Sequence, residues 1–231
     1  MTKQASNVKP VLFVVTSCAV KGDTGIATGY NLAEVTHPLE KLHQAGLKVE
    51  FASIQGGNAP LDGLEDMKDP VIAHYWADAM FRHAIANTLR IDEVDPARYS
   101  AIFFAGGHGT MWDFPDSAAA QKAIREIDAA GGIVSAVCHG PAALVNARRA
   151  DGSLLVAGKK VAAFTNGEEE EVQSTNVVPF LLATRLNERG AHHQDSPNWS
   201  DKVVVDGRLI TGQNPQSAAS LGIALRDALL A

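Results

Sequence analysis

Cys138 and His139 are neighbours in Ala136-Val-Cys-His-Gly-Pro141, where a strand-like apolar run stops and a helical pattern starts at once. A strand that ends in a nucleophile and turns straight into a helix is an elbow that holds one side chain out for attack. A thiol placed there lies at a helix N-terminus, whose amides and dipole favour the thiolate. A buried, inert cysteine beside a capping histidine is the other reading of this stretch. Ala105-Gly-Gly-His-Gly109 also closes an apolar run. Gly106 and Gly107 let backbone amides approach a ligand and meet a developing oxyanion. A plain glycine turn explains the same letters, with His108 either orienting a substrate or capping the turn. The spacing is neither a dinucleotide fingerprint nor a P-loop.

Two acidic features accompany these. Glu34 begins the helix after the first strand, on the same rim as Cys138. In a dry pocket beside a thiol its pKa would rise and it could move protons, although an acidic residue answering the helix dipole is the simpler account. Glu168 to Glu171 come directly after Thr165-Asn-Gly. Three of the four read as a solvated first helical turn, while one could orient His139. His192-His193 with Asp195 has poor spacing for a metal and reads as an exposed loop. Cys18 reads as a packed thiol. Asn198-Trp-Ser200 matches a glycosylation sequon that carries no meaning without secretion.

The elements that must position these residues alternate along the chain. Val11–Val15, Lys48–Ala52, Ala101–Ala105 and Ile133–Val137 read as strands buried on both faces, as in a parallel sheet. Leu32, Val35, Leu39 and Leu42 recur at helical spacing before Gly46, and Pro38 should start or kink that helix. Further helices are predicted over Ser117–Ala130, Val177–Leu186 and Ser217–Leu230, and a hairpin with an Asp-Gly turn over Val203–Ile210. The polar stretch Ser53–Asp69 reads as a loop-rich insertion, a lid or a dimer surface. The sum is an α/β, flavodoxin-like, doubly wound and mostly parallel sheet with helices on both faces, in a single domain over 1–231. Ligands in such sheets bind beyond the carboxyl ends of the strands, where the residues above fall.

Bulk composition narrows the class. The chain has 231 residues, 46% hydrophobic and 20% charged, which suits a folded domain rather than a disordered one. A net charge of −6 without a basic cluster argues against nucleic acid and anionic membranes. Two cysteines form no disulfide framework, and Val11–Val15 is too short for a signal or membrane segment. A cytoplasmic location is expected.

Taken together, the motifs resemble the ThiJ/PfpI superfamily, which has a class I glutamine-amidotransferase-like fold. They are most similar to its heat-shock-protein-31 branch, the glutathione-independent glyoxalases (glyoxalase III). The likeness runs through Thr24-Gly25, Glu34 and His37-Pro38, then Phe103 to Pro115 and Ala136 to Ala142. It continues in Phe164-Thr-Asn166 with the acidic run, Pro197-Asn-Trp199, and Asp206 to Pro215. It implies Cys138 as nucleophile, His139 as its acid/base partner and Glu34 as the carboxyl beside the thiol. Counting from Phe164 places the third triad member at Glu169, with Glu168 or Glu170 one slip away. Gly106, Gly107 and the His139 amide would form the oxyanion hole, with His108 beside them. The implied reaction is net hydration of a 2-oxoaldehyde such as methylglyoxal to D-lactate, with no cofactor and no metal, in a homodimer. A cysteine-dependent peptidase or amidase of the same superfamily, a protein deglycase and a non-enzymatic holding chaperone are the alternatives.

Overall fold

A computed structural model describes residues 4–64 and 67–231. Its strands in chain order are β1 (Val11–Val15), β2 (Tyr30–Asn31), β3 (Val49–Ser53), β4 (Leu61–Asp62), β5 (Leu89–Arg90), β6 (Ala101–Phe104), β7 (Ile133–Val137), β8 (Lys160–Val161), β9 (His192–His193), β10 (Val203–Asp206) and β11 (Leu209–Gly212). Its helices are α1 (Leu32–Gln44), α2 (Pro70–Ala77), α3 (Ala79–Ala86), α4 (Thr110–Asp113), α5 (Ala118–Ala129), α6 (Asn166–Glu171), α7 (Leu182–Glu188) and α8 (Ala218–Leu230). Seven strands form the central sheet in the order β10-β11-β7-β6-β1-β3-β5. All neighbours run parallel except the β10–β11 hairpin.

The period-2 geometry of a strand explains how β1 serves two cores. Leu12 and Val14 join one cluster with Ile102, Phe104 and Ile124 of α5, while Val11, Phe13 and Val15 join another with Leu32, Val35 and Leu39 of α1. All five β1 residues are fully buried, which is why the run is continuously apolar. The strand order reverses between β1 and its neighbours β3 and β6, and the crevice beyond that point is where a doubly wound sheet places its ligands.

Several boundaries move. Pro38 does not start α1, which begins at Leu32 behind an Asn31 cap that accepts from Glu34 N–H at 3.3 Å and continues through the proline. The helix predicted over Val177–Leu186 starts only at Leu182, because Pro179 lacks an N–H and disfavours helical geometry at Val178. Ser53–Asp69 contributes β4, which pairs with β2 just before α1; Glu65 and Asp66 lie outside the described residues. Among the described residues no helix is long and apolar enough to cross a membrane.

Candidate active site

Cys138 ends β7 with φ +60°, a backbone state that a side chain with a Cβ rarely adopts. Its N–H donates to Gly212 of β11 at 3.0 Å, and its carbonyl accepts from Phe164 N–H at 2.9 Å. These two bonds fix the elbow from opposite sides. The turn also needs a close backbone approach at Gly140, where a Cβ would sit 2.2 Å from the Phe104 carbonyl oxygen. Beyond the elbow the helical pattern takes the form of a 3-10 helix over Gly140–Leu144.

His139 is buried beside it. Its Nδ1 lies 3.5 Å from Cys138 Sγ and its Nε2 2.8 Å from Glu169 Oε2. The other Glu169 oxygen, Oε1, accepts from His108 Nε2, also at 2.8 Å. Burial works against the ionised form of Glu169, but the two histidine hydrogen bonds outweigh it and hold its pKa down to about 2. A carboxylate can only accept, so both Nε2 atoms carry protons. That leaves Nδ1 of a neutral His139 bare and facing the thiol. Burial pushes His108 down to about 4, with neighbouring His139 acting in the same direction. His108 is therefore a neutral donor at physiological pH. The two imidazoles lie against each other with centroids 4.2 Å apart and planes tilted by 40°, and Phe164 packs on His139 at 4.3 Å and on the edge of His108 at 6.1 Å.

Glu34 approaches from α1. It is fully buried, and its Oε2 accepts from Gly106 N–H at 2.7 Å. Oε1 is buried with no partner at hydrogen-bonding geometry, and the Cys138 thiol is the polar group beside this carboxyl. Burial raises the Glu34 pKa to about 8, against the pull of the thiol and the Gly106 amide. Burial also pushes the Cys138 thiol well above its ordinary range, and the nearby Glu34 charge adds to it. This corrects the expectation of a lowered thiol pKa. The amide of His139 does act to lower it, but burial in a 3% exposed position dominates.

The oxyanion hole also needs revision. The Gly106 amide is occupied by Glu34, so it is not free for a substrate oxygen. The His139 amide is directed at the Cys138 sulfur, and the Gly107 amide donates to no carbonyl or carboxylate among the described residues. A Cβ at Gly106 would sit 2.5 Å from Glu34 Oε2 and 2.8 Å from His139 N, so this glycine exists to let α1, β6 and the elbow converge.

Of the four glutamates, Glu170 and Glu171 are exposed and Glu169 meets His139, as expected, whereas Glu168 is buried and departs from the solvated turn. Glu168 is fully buried: Oε2 accepts from Thr165 N–H, and Oε1 from Trp199 N–H, Gln213 Nε2 and Asn214 Nδ2. Glu169 faces the two histidines. Glu170 is exposed. Glu171 accepts from the Asn198 side-chain amide and the Trp199 indole N–H. Gln213, Asn214 and Trp199, the last with φ +61° and its ring against Phe164 at 5.6 Å, are site supports that residue-by-residue reading missed. Their only signal was membership of the Pro197–Trp199 and Asp206–Pro215 motifs. The other candidates stay apart. His193 lies in β9, a short strand rather than a loop, and its Nε2 donates to the Ala163 carbonyl; Cys18 is half-buried with Sγ 3.1 Å from the Val20 carbonyl oxygen.

Comparison with known proteins gives the same grouping. The chain is 42% identical to the probable glutathione-independent glyoxalase hsp3103 of Schizosaccharomyces pombe over 151 residues, 62% of this chain and 58% of that protein. It is 32% identical to the glutathione-independent glyoxalase HSP31 of Saccharomyces cerevisiae over 96% of this chain and 98% of that one. A crystal structure of glyoxalase III from Candida albicans superimposes with a TM-score of 0.88 at 29% identity, covering 96% of this chain and 98% of the other. The model of the DJ-1/PfpI family matches residues 25–227, a span that holds Glu34, the Gly106-Gly107 turn, the Cys138 elbow and Glu169. The chain belongs to the DJ-1/PfpI family.

Proposed function

We propose that this chain is a glutathione-independent glyoxalase that converts small 2-oxoaldehydes such as methylglyoxal to 2-hydroxy acids through Cys138. The observation that carries the reading is a buried thiol served from two sides, by the bare Nδ1 of His139 and by a carboxyl, Glu34, held near neutrality. Acyl transfer by a peptidase needs the first partner only. Isomerising a 2-oxoaldehyde needs a second group that takes a proton from one carbon and returns it to the next. Cys138 is only 3% exposed, which suits a three-carbon substrate better than a peptide or a protein-bound adduct. The names of the relatives point the same way.

The steps balance without an added co-reactant. Sγ bonds to the aldehyde carbon while its proton passes to His139 Nδ1; Glu169 stabilises the imidazolium, which then protonates the new hemithioacetal oxygen. Glu34, in its ionised form, removes the proton from that carbon and delivers it to the adjacent one. The enediolate between these steps is met by the Gly107 and His139 amides, and His139 Nδ1 takes the hydroxyl proton from the sulfur-bearing carbon and returns it to the oxygen of the neighbouring one. The product is a thioester of the hydroxy acid on Cys138. Water cleaves the carbon–sulfur bond, giving the free acid and restoring the thiol. The test is a methylglyoxal-consumption assay with chiral lactate detection. Wild type yields D-lactate and Cys138→Ala yields none. Near-full turnover by Cys138→Ala, or no lactate from wild type, overturns the proposal.

A further inference from the structure

The carboxylate of Glu169 is shared by two imidazoles, and that arrangement has a second chemical meaning. One donor atom from each of His108, His139 and Glu169 lies within 4.8 Å of the other two. We propose that these three residues bind a divalent transition-metal ion, zinc above all, and that the bound ion switches the thiol chemistry off. The switching half rests on the glyoxalase reading above; the binding half does not.

Two imidazoles and one carboxylate suit borderline ions and leave a coordination position for water. The set is largely preorganised, since the side chains of His139 and Glu169 are 1% and 2% exposed. His108, at 13%, is the one that opens toward solvent and gives an ion its way in. Each Nε2 now stands 2.8 Å from a Glu169 oxygen. Ligand bonds of about 2.1 Å in tetrahedral geometry require those pairs to spread by about half an ångström. His108 sits on a turn, so the movement falls on the least confined member.

The proton inventory explains the switch. Both Nε2 atoms carry protons donated to Glu169, and a metal needs their lone pairs. Each ring stays neutral if its proton relocates from Nε2 to Nδ1. In His139 that nitrogen faces Cys138 Sγ at 3.5 Å. Once protonated, Nδ1 can no longer accept the thiol proton, and the first step of turnover stops. The ion takes Nε2 and the sulfur contacts Nδ1, so binding does not need the cysteine.

The experiment titrates the metal-free full chain with zinc chloride by calorimetry and follows cobalt(II) binding by visible absorption. Wild type and Cys138→Ala are both expected to bind one ion per chain. His108→Asn and Glu169→Gln are each expected to weaken binding more than about tenfold, since even losing an outer-shell partner costs that much. Zinc should inhibit methylglyoxal turnover in step with occupancy, and EDTA should restore it. Absence of one-to-one binding in wild type, unchanged affinity in both His108→Asn and Glu169→Gln, or loss of binding in Cys138→Ala overturns the site. Full turnover with zinc bound overturns the switch. A wild type inactive without metal would instead refute the glyoxalase reading and leave the binding result standing.

Discussion

Replacing Glu34 by Gln should make the protein more stable while making it catalytically poor. Glu34 has an ordinary pKa of 4.5 and is raised to about 8 in the folded chain, chiefly by burial. Between those values the folded state holds a proton that the unfolded state has released, so stability falls as pH rises. At one pKa unit per 1.36 kcal/mol, the cost of keeping this group inside is about 3 kcal/mol at pH 7 and approaches about 5 kcal/mol above pH 8, with none below pH 4.5. The group is fully buried, so solvent screening does not dilute the effect. Gln is nearly isosteric, and its carbonyl oxygen can accept from the Gly106 N–H that Glu34 Oε2 accepts from at 2.7 Å. Urea unfolding of wild type and Glu34→Gln at pH 5.5 and 8.5 measures the difference. The variant should be more stable at both values, and its advantage should grow by about 3 kcal/mol from the lower to the higher pH. A gap that does not change with pH, or a variant less stable at pH 8.5, would refute the assignment of a protonated Glu34.

Three further outcomes rest on the same geometry. If ionised Glu34 performs the carbon-to-carbon transfer, kcat/KM for methylglyoxal should rise from pH 6 through a midpoint near pH 8, the value to which burial raises this group, and level off about one unit above it; a flat profile from pH 6 to 9 would exclude it. Glu169→Gln removes the charge that two histidines share, and kcat should fall about 10²- to 10³-fold with the fold intact by circular dichroism; a loss under threefold would remove Glu169 from the mechanism. Gly106→Ala forces a Cβ to within 2.5 Å of Glu34 Oε2, so chemical denaturation should show a loss of about 1–3 kcal/mol. An unchanged midpoint would mean that α1 yields freely.

What could be read in the letters is what repeats locally. β1, β6 and β7 are runs of residues buried on both faces, and such runs are visible without their neighbours. The site fell on their carboxyl ends because doubly wound sheets leave a crevice there. β5 and β4 are two residues each and carry no period to detect. The glutamate run shows the limit most plainly. Glu168 and Glu169 differ by one position and by everything around them, because the donors to Glu168 Oε1 come from Trp199, Gln213 and Asn214, thirty or more residues away. The occupied Gly106 amide was equally hidden, since only the packing of α1 over β6 brings Glu34 to it. The thiol's environment was misjudged for a related reason: a helix terminus is legible in sequence, whereas the dryness of a pocket is a property of the assembled whole.

The Gly212 carbonyl that accepts from the Cys138 N–H, together with Gln213 and Asn214 beneath Glu168, has a consequence for biosynthesis. Cys138 is translated long before β11, and until that strand emerges from the ribosome neither the elbow nor the acidic turn has its anchor. A nascent chain or a fragment ending before residue 212 carries the cysteine but lacks the setting that makes it a nucleophile. The His139 and Glu169 geometry around the thiol is thus completed only once β11 and Asn214 have been made, so the last strand of the central sheet is also the one that finishes the site.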